Sequence, residues 1–341
     1  MTRRGLAGAV IAWQRQHGRH GLPWQRTRDP YRVWLSEVML QQTQVSTVLD
    51  YYPRFLARFP DVQALAAAPL DDVLALWSGL GYYSRARNLH RCAQAVVAAH
   101  GGAFPGSSAV LATLPGIGRS TAAAIAAFCF GERAAILDGN VKRVLTRALG
   151  FDGDLALVAE ERRLWALADA LLPTRDVDVY TQGLMDLGAT VCSLRQPACE
   201  RCPLARDCVA QATGTPGRYP VKTRRLKRSR RSHALLCLRQ GPRLFLVQRP
   251  ERGVWAGLWS LPEYDTPAAL DEAVGAWPGH GAWAPAFEHA LTHFDWTLQP
   301  LVWTLPARGK PPAALPAGRW VTLDEALAMG LPAPVRKLIS A

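Results

Sequence analysis

The chain of 341 residues has no apolar run of the roughly 20 residues that cross a bilayer as a helix. Its longest, "STAAAIAAFCF" from Ser120, stops far short. A cleavable secretion signal is not expected either. The amino-terminal "MTRRGLAGAVIAWQRQHGRHGLPW" breaks its short apolar stretch with Gln14, Arg15, Gln16 and His17, a pattern that fits an amphipathic helix. The expectation is therefore a cytosolic chain, and its length predicts about two domains. Cysteine is sparse, with seven in all, yet four of them crowd into "CSLRQPACERCPLARDC" from Cys192 to Cys208. Acids are missing from one stretch: residues 218–232 hold eight Lys and Arg against no Asp or Glu. The counts are 23 against 18 in residues 1–217 and 9 against 9 in residues 233–341, so the net charge of +13 is concentrated in the first part and this short run.

A reducing compartment disfavours two disulfides in so short a window and points to a metal site. Cys192, Cys199, Cys202 and Cys208 are spaced C-x6-C-x2-C-x5-C. Structural zinc usually sits between two tight pairs, and only one is present. Gaps of six, two and five let one loop wrap a four-iron four-sulfur cube, so the spacing favours that cluster over zinc, and zinc over disulfides. Cys92, Cys129 and Cys237 are scattered and read as ordinary cysteines. The run "RYPVKTRRLKRSRRS" follows "QATGTPG", lacks an apolar period and reads as an exposed basic linker. Beside a basic domain it suits a polyanion, DNA ahead of RNA.

The first 209 residues read as almost wholly helical, without internal repeats. Within "SSAVLATLPGIGRSTAAAIAAFCFG" a helix is expected to end at Leu114, a tight turn to span Pro115 to Gly118, and a second helix to start near Arg119. Gly116 and Gly118 allow close backbone approach, and the amides opening the second helix suit a phosphate. This is a helix-hairpin-helix signature for gripping a DNA backbone, expected over residues 107–130.

Two carboxylates stand out. Glu37, in "PYRVWLSEVMLQQTQVSTVL", has Val33, Trp34, Leu40 and Gln41 as helical neighbours. Such an apolar edge disfavours charge, so Glu37 could keep its proton near neutrality and act as a general acid. Asp138, in "AAILDGNVKRVLTRALG", precedes a helix opening near Asn140, whose amides would keep it ionised. One protonated and one ionised carboxyl is the pairing that glycosidic-bond cleavage needs. Read alone, Asp138 could be a helix cap and Glu37 a paired structural acid.

Together "LPGIGRST", "LDGNVKRVL", the cysteine loop and "WLSEVMLQQTQV" resemble the adenine DNA glycosylases, the MutY family, over nearly the whole chain. The wider endonuclease III superfamily shares the hairpin, the Asp and the cysteine spacing. "SEVMLQQTQ" with Glu37, "GLGYYSRARNL" from Gly79, and Ser120 where lyase relatives carry Lys are the adenine-enzyme features. The resemblance implies an all-α helix-hairpin-helix glycosylase domain over residues 1–209 with the iron-sulfur loop 192–208, a basic linker 210–232, and an α+β Nudix-like domain 233–341. It implies removal of adenine mispaired with 8-oxoguanine or guanine, without strand scission. Glu37, Asp138 and Asn140 would carry the chemistry. Gln42, Thr43, Tyr82, Gly116, Gly118, Arg119, Ser120, Lys142 and Arg143 would contact double-stranded DNA, with Gln42 and Tyr82 wedging into the duplex. One four-iron four-sulfur cluster, a monomeric state and a place in the cytoplasm on the nucleoid are the further expectations.

Residues from His233 differ in kind. "HALLCLRQGPRLFLVQRP" reads as two strands about a Gly-Pro turn, "AFEHALTHFDWTLQPLVWTL" as another strand-rich stretch, and "LDEALAM" as a closing helix. "RPERGVWAGLWSLPE" resembles the Nudix-like domain that adenine glycosylases append. The R-E-x-x-E-E helix of Nudix hydrolases is missing, since Asp265, Asp271 and Glu272 do not reproduce it, so a reader is expected and not a hydrolase. The family's lesion-sensing Phe-Ser-His corresponds to Leu291, Thr292 and His293, which keep the hydroxyl and imidazole but lose the ring. A pyrimidine-damage glycosylase with lyase activity and a non-catalytic DNA-binding protein are the alternatives.

Overall fold

The computed structural model describes residues 3–223 and 227–340. The chain divides into two compact units, Met1–Ala66 with Arg91–Arg225, and Ala67–His90 with Leu226–Ala341. Its amino-terminal part is helical throughout: α1 (Arg3–His17), α2 (Pro30–Leu40), α3 (Val45–Arg58), α4 (Val62–Ala67), α5 (Leu70–Trp77), α6 (Ser84–His100), α7 (Ser108–Leu111), α8 (Arg119–Phe130), α9 (Gly139–Leu149), α10 (Val158–Leu171), α11 (Val177–Thr190) and α12 (Val209–Ala212). Among the described residues no helix is long and apolar enough to cross a membrane.

Two features place the helices that matter. Asp29 caps α2 by accepting the Tyr31 N–H at 2.9 Å, and Pro30 opens the first turn, where a missing N–H costs nothing. From there α2 buries Tyr31, Val33, Trp34, Leu35, Ser36, Val38 and Met39, so it runs through the interior of its unit. Along α8, Ala122 to Ala127 are almost fully buried. Small side chains on this face let neighbouring helices approach closely. Leu6 and Val10 of α1, Val144 of α9, Leu164 of α10 and Leu184 and Leu187 of α11 join one apolar core.

The second unit is built on a mixed sheet: β1 (Ser229–Gln240), β2 (Arg243–Gln248), β3 (Trp259–Ser260), β4 (Glu263–Tyr264), β5 (His280–Trp283), β6 (Phe287–Ala290), β7 (Phe294–Leu305) and β8 (Gly318–Thr322). Its central path is β3-β2-β1-β7-β5, with β4 on β1, β6 on β7 and β8 on β2. β1 and β7 run parallel from Ser229↔Phe294 to Gln240↔Leu305. Helices α13 (Pro267–Val274), α14 (Leu323–Leu327) and α15 (Ala333–Ser340) complete the unit. Leu270 and Val274 of α13 pack with Leu236, Leu238 and Leu301.

The boundaries differ from those expected. Residues 67–90 pack with the sheet: Ser78 Oγ and Tyr83 OH both donate to the Leu331 carbonyl, at 2.8 and 2.9 Å, and Arg87 donates to that of Ala256 at 2.7 Å. The stretch read as linker 210–232 holds most of α12 and a single turn at Pro216–Arg218, and it yields Ser229 onward to β1. No apolar alternation marks those strand residues, because β7 supplies backbone partners and burial begins only further along. Residues 224–226 of the expected linker lie outside the described residues. Helix α7 ends at Leu111, and two tighter turns, Thr113 N–H to Val110 and Leu114 N–H to Leu111, carry the chain to Leu114.

Candidate active site

Glu37 is the one acidic residue on α2, where seven of the eleven residues are buried. It is half-buried in the wall of a cleft of about 1140 Å³, and so is Asp138. Burial, followed by the charge of Asp138, pushes the Glu37 carboxyl up to about 8. Gln41, which closes α2, donates its side-chain N–H to Thr121 Oγ1 of α8 at 3.4 Å and ties the helix end across the cleft floor.

Asp138 is the N-cap of α9, its Oδ1 accepting the Val141 N–H at 2.7 Å. Burial pushes its carboxyl up, opposed by the amides of Val141 and Asn140 and by Arg143 and Lys142. Helix amides were expected to hold this group low; they act in that direction, but desolvation outweighs them. Asp138's charge nevertheless raises Glu37, so within the pair the proton belongs to Glu37. Asn140 is fixed by Arg143, whose Nη2 donates to its Oδ1 at 2.8 Å and to the Gly188 carbonyl at 2.7 Å. That leaves the Asn140 amide N–H groups to donate.

The same cleft also contains Gln42, Thr43, Ser120 and Arg143, with Trp24, Gln25 and Gln182 completing its wall. No motif marked those last three. Gly188 was missed as well: a Cβ there would lie 2.6 Å from Asn140 Cβ, so only glycine lets α11 approach the start of α9 so closely. Gln42 adopts left-handed backbone, φ +58°, a conformation rare for a side chain of its size and concentrated at functional positions.

The hairpin has Gly116 at φ +76° and Gly118 as the N-cap of α8. A Cβ at Gly118 would meet nothing within 4 Å, leaving its backbone open to an incoming molecule. Arg119 lies 3.9 Å over the Trp165 ring and pairs with Asp169 at 3.0 Å. Lys142 is paired with Glu161. Neither lines the cleft, and both hold acids of α10. Ser120 Oγ accepts the Leu137 N–H at 3.0 Å, so the hydroxyl anchors the backbone immediately before Asp138.

Cys192, Cys199, Cys202 and Cys208 line one small cavity. The Cys202 thiol is pushed up to about 11, first by burial, with the other three cysteines adding to it. Four thiols gathered round one cavity fit a group that neutralises them as thiolates, as an iron-sulfur cluster does. Among the described residues no group of three or more His, Cys, Asp and Glu is arranged to hold a metal ion. Arg147, 2% exposed, was not marked by the sequence. It donates to the carbonyls of Pro216, Ser193 and Leu194 at 2.9, 2.6 and 3.0 Å and lies 3.4 Å from Cys192 Sγ. Arg143 Nε donates to the Cys192 carbonyl at 2.7 Å, so one guanidinium spans from Asn140 to the cysteine loop.

In the second unit, Leu291, Thr292 and His293 form the tip between β6 and β7, closed by the Leu291 N–H on the Phe294 carbonyl at 2.9 Å. Behind it Trp255 stacks on Trp296, 4.7 Å between centroids, and on His289. Tyr82, 45% exposed and at φ +47°, places its hydroxyl 3.3 Å from Thr292 Oγ1. Asp271 and Glu272 are exposed on α13, away from its apolar face.

A helical hairpin ahead of an acid-capped helix, with a second carboxyl across the cleft, defines a helix-hairpin-helix base-excision enzyme. Residues 35–168 match the HhH-GPD superfamily of base excision DNA repair proteins, and residues 233–341 match the NUDIX domain. The chain is 33% identical over 352 residues to an adenine DNA glycosylase of Buchnera aphidicola subsp. Acyrthosiphon pisum (strain APS), covering 99% of this chain and 98% of the relative. It is 36% identical over 389 residues to that of Homo sapiens, covering 93% of this chain and 70% of the relative. Among solved structures, a thermostable thymine-DNA glycosylase is 28% identical with a TM-score of 0.56, covering 62% of this chain and 97% of that one. Endonuclease III in a non-covalent DNA complex shares the fold, with a TM-score of 0.52 at 22% identity over 63% of this chain and 98% of that one. The chain belongs to the adenine DNA glycosylase family, enzymes that act on the N-glycosyl bond to remove adenine in base excision repair.

Proposed function

We propose that this chain removes adenine paired with 8-oxoguanine or guanine by hydrolysis alone, leaving an intact strand with an abasic site. The observation that carries the reading is Glu37 and Asp138 lining one cleft with the Glu37 carboxyl raised to about 8. Adenine flips from the stack at a cost of a few kcal/mol, smallest for a poorly paired base. Glu37 then protonates the adenine ring and makes it a leaving group. Asp138 stabilises the oxocarbenium-like sugar, assisted by the Asn140 amide, and Glu37, now ionised, activates water. Ser120 has no amine with which to form an imine, and Lys142 is engaged by Glu161.

Gln42 and Tyr82 serve as the wedges that fill the emptied stack, and both have left-handed backbone. Thr43, Gly116, Gly118, Arg119 and Arg143 belong to the DNA-binding surface of the helical domain, residues 1–209. Leu291, Thr292 and His293 read the damaged guanine from the Nudix-like domain, residues 233–341. Cys192, Cys199, Cys202 and Cys208 would hold one four-iron four-sulfur cluster, which when bound supplies a rigid anchor for their loop. The enzyme works as a monomer on the chromosomal DNA of the cytoplasm.

Single-turnover assays on duplexes with one defined mispair test this. Adenine release should be fastest opposite 8-oxoguanine, with strand breaks appearing only after alkali. Breaks formed as fast as adenine is released would replace the hydrolytic reading with a lyase, and release independent of the opposing base would remove the reader role.

A further inference from the structure

The first four residues of β1, Ser229 to Ser232, are exposed, whereas Ala234 to Leu238 are buried. A strand end that buries no apolar surface gains only its backbone ladder and still bears the cost of being ordered. That ladder is one-sided here. β7 pairs with it from Ser229 onward, while β4 and β2 reach β1 only from Ala234 and from Arg239. The partner of this end is the lesion-reading tip itself, since the Ser229 N–H donates to the His293 carbonyl at 3.2 Å and Ser229 registers with Phe294.

Two cations flank this strand end, Arg231 on the face that holds Phe294 and Arg230 on the opposite face. Arg230 is exposed and registers with Asp295, an acid that Arg228 neutralises. Arg231 holds its guanidinium carbon over the Phe294 ring, 4.1 Å from the centroid. That cation–π contact restrains the side chain at the strand end, and its N–H groups can donate as a fork to an anion. A planar fork held beside a base-reading tip suits phosphate, because phosphate contacts set register while the neighbouring tip reads the base.

We propose that Arg230 and Arg231 hold backbone phosphates of the DNA strand that carries the damaged guanine, and so seat the 291–293 tip on that base. The inference rests on the reading of that tip as the lesion reader. It assigns the end of the basic run to an ordered, two-arginine phosphate grip in place of an exposed linker.

The test measures binding of the full chain to a duplex with an A:8-oxoguanine pair across a salt series. Arg230→Ser with Arg231→Ser should flatten the slope of log affinity against log salt by about 1.8, at about 0.9 per lost phosphate contact. Arg230→Lys with Arg231→Lys should keep most of that slope, and both variants should unfold at the wild-type temperature. Uncharged methylphosphonates flanking 8-oxoguanine in its own strand should weaken the wild type but not the serine variant. An unchanged slope would overturn the proposal. So would sensitivity confined to methylphosphonates in the adenine strand, or an equal loss on single-stranded RNA of the same length. His293→Ala, measured alongside, separates the two ideas: it should lower the preference for 8-oxoguanine while leaving the salt slope intact. If the preference survives His293→Ala while the slope still falls in the serine variant, the reader assignment fails and the phosphate grip stands.

Discussion

The Tyr82 hydroxyl stands 3.3 Å from Thr292 Oγ1, although the two residues are 210 positions apart in sequence. The proposed wedge and the proposed lesion-reading hydroxyl thus share a hydrogen bond. An exposed neutral bond of this kind is worth about 0.5–1.5 kcal/mol at most. Its value lies in fixing Tyr82, whose left-handed backbone already restricts it.

Tyr82→Phe and Thr292→Val should each lower the preference for adenine opposite 8-oxoguanine over adenine opposite guanine. The double variant should do little more than either alone, since both remove the same bond. Additive losses in single-turnover rates would show that the residues act separately.

Glu37→Gln preserves shape without the proton, so adenine release should fall at least about 100-fold while duplex binding persists. In the wild type the acid form predominates below about 8, so the single-turnover rate should fall as pH rises through that value. The same shift has a stability signature. A carboxyl raised in the folded state favours folding fully below its ordinary range, and that contribution is lost as pH rises toward about 8. Thermal unfolding should therefore show Glu37→Gln gaining on the wild type between about pH 5 and pH 8. Parallel melting curves would remove the raised carboxyl from the account.

Asp138→Asn keeps an oxygen to accept the Val141 N–H, so α9 should stay intact while release drops on the order of 100-fold or more. Asp138→Ala loses the cap too and should unfold more easily by about 1 kcal/mol. Circular dichroism melts separate the two roles.

Ser120→Lys should introduce borohydride-trappable complexes and strand cleavage at abasic sites. It also removes the acceptor of the Leu137 N–H, so adenine release should decline in the same variant. Gain of trapping with undiminished release would mean the anchor is dispensable.

The site was legible where chemistry follows local spacing. Glu37 and Asp138 could be placed from a helical register and a cap position, and the cysteine loop from its gaps. Arg143, expected on DNA, also bridges Asn140 to the Cys192 carbonyl, a role the sequence did not mark, and Arg147 gave no signal at all. Both act by satisfying carbonyls that come together only after three segments have packed, and no local pattern encodes that. Gly188 was hidden for a similar reason, because the close approach of α11 to α9 is a tertiary fact. In the carboxy-terminal part the strands about Gly241 and Pro242 follow the apolar runs, whereas the parallel register of β1 with β7 depends on residues 65 apart.

Gly188→Ala therefore offers a test without touching a polar group. Its Cβ would force Asn140 and the start of α9 aside, and displacement of about 1 Å costs on the order of 100-fold in rate. Release should fall by that scale with little change in duplex affinity. A wild-type rate would mean that Asn140 tolerates the shift.

Ser78 donates to a carbonyl 253 residues further along the chain, and Tyr83 shares that acceptor. At synthesis rates of about 5–20 residues per second, the segment waits roughly 13–50 s for Leu331 to be made. During that interval Leu74, buried in the finished protein beside Gly257 and Gly330, lacks that cover. A ribosome that stalls near Ser232 releases a chain with a raw apolar surface in its amino-terminal half, prone to sticking to other unfinished chains. Carboxy-terminal truncations are then expected to lower yield before they lower specificity, and the Nudix-like domain doubles as the last step in maturing the segment that bears Tyr82.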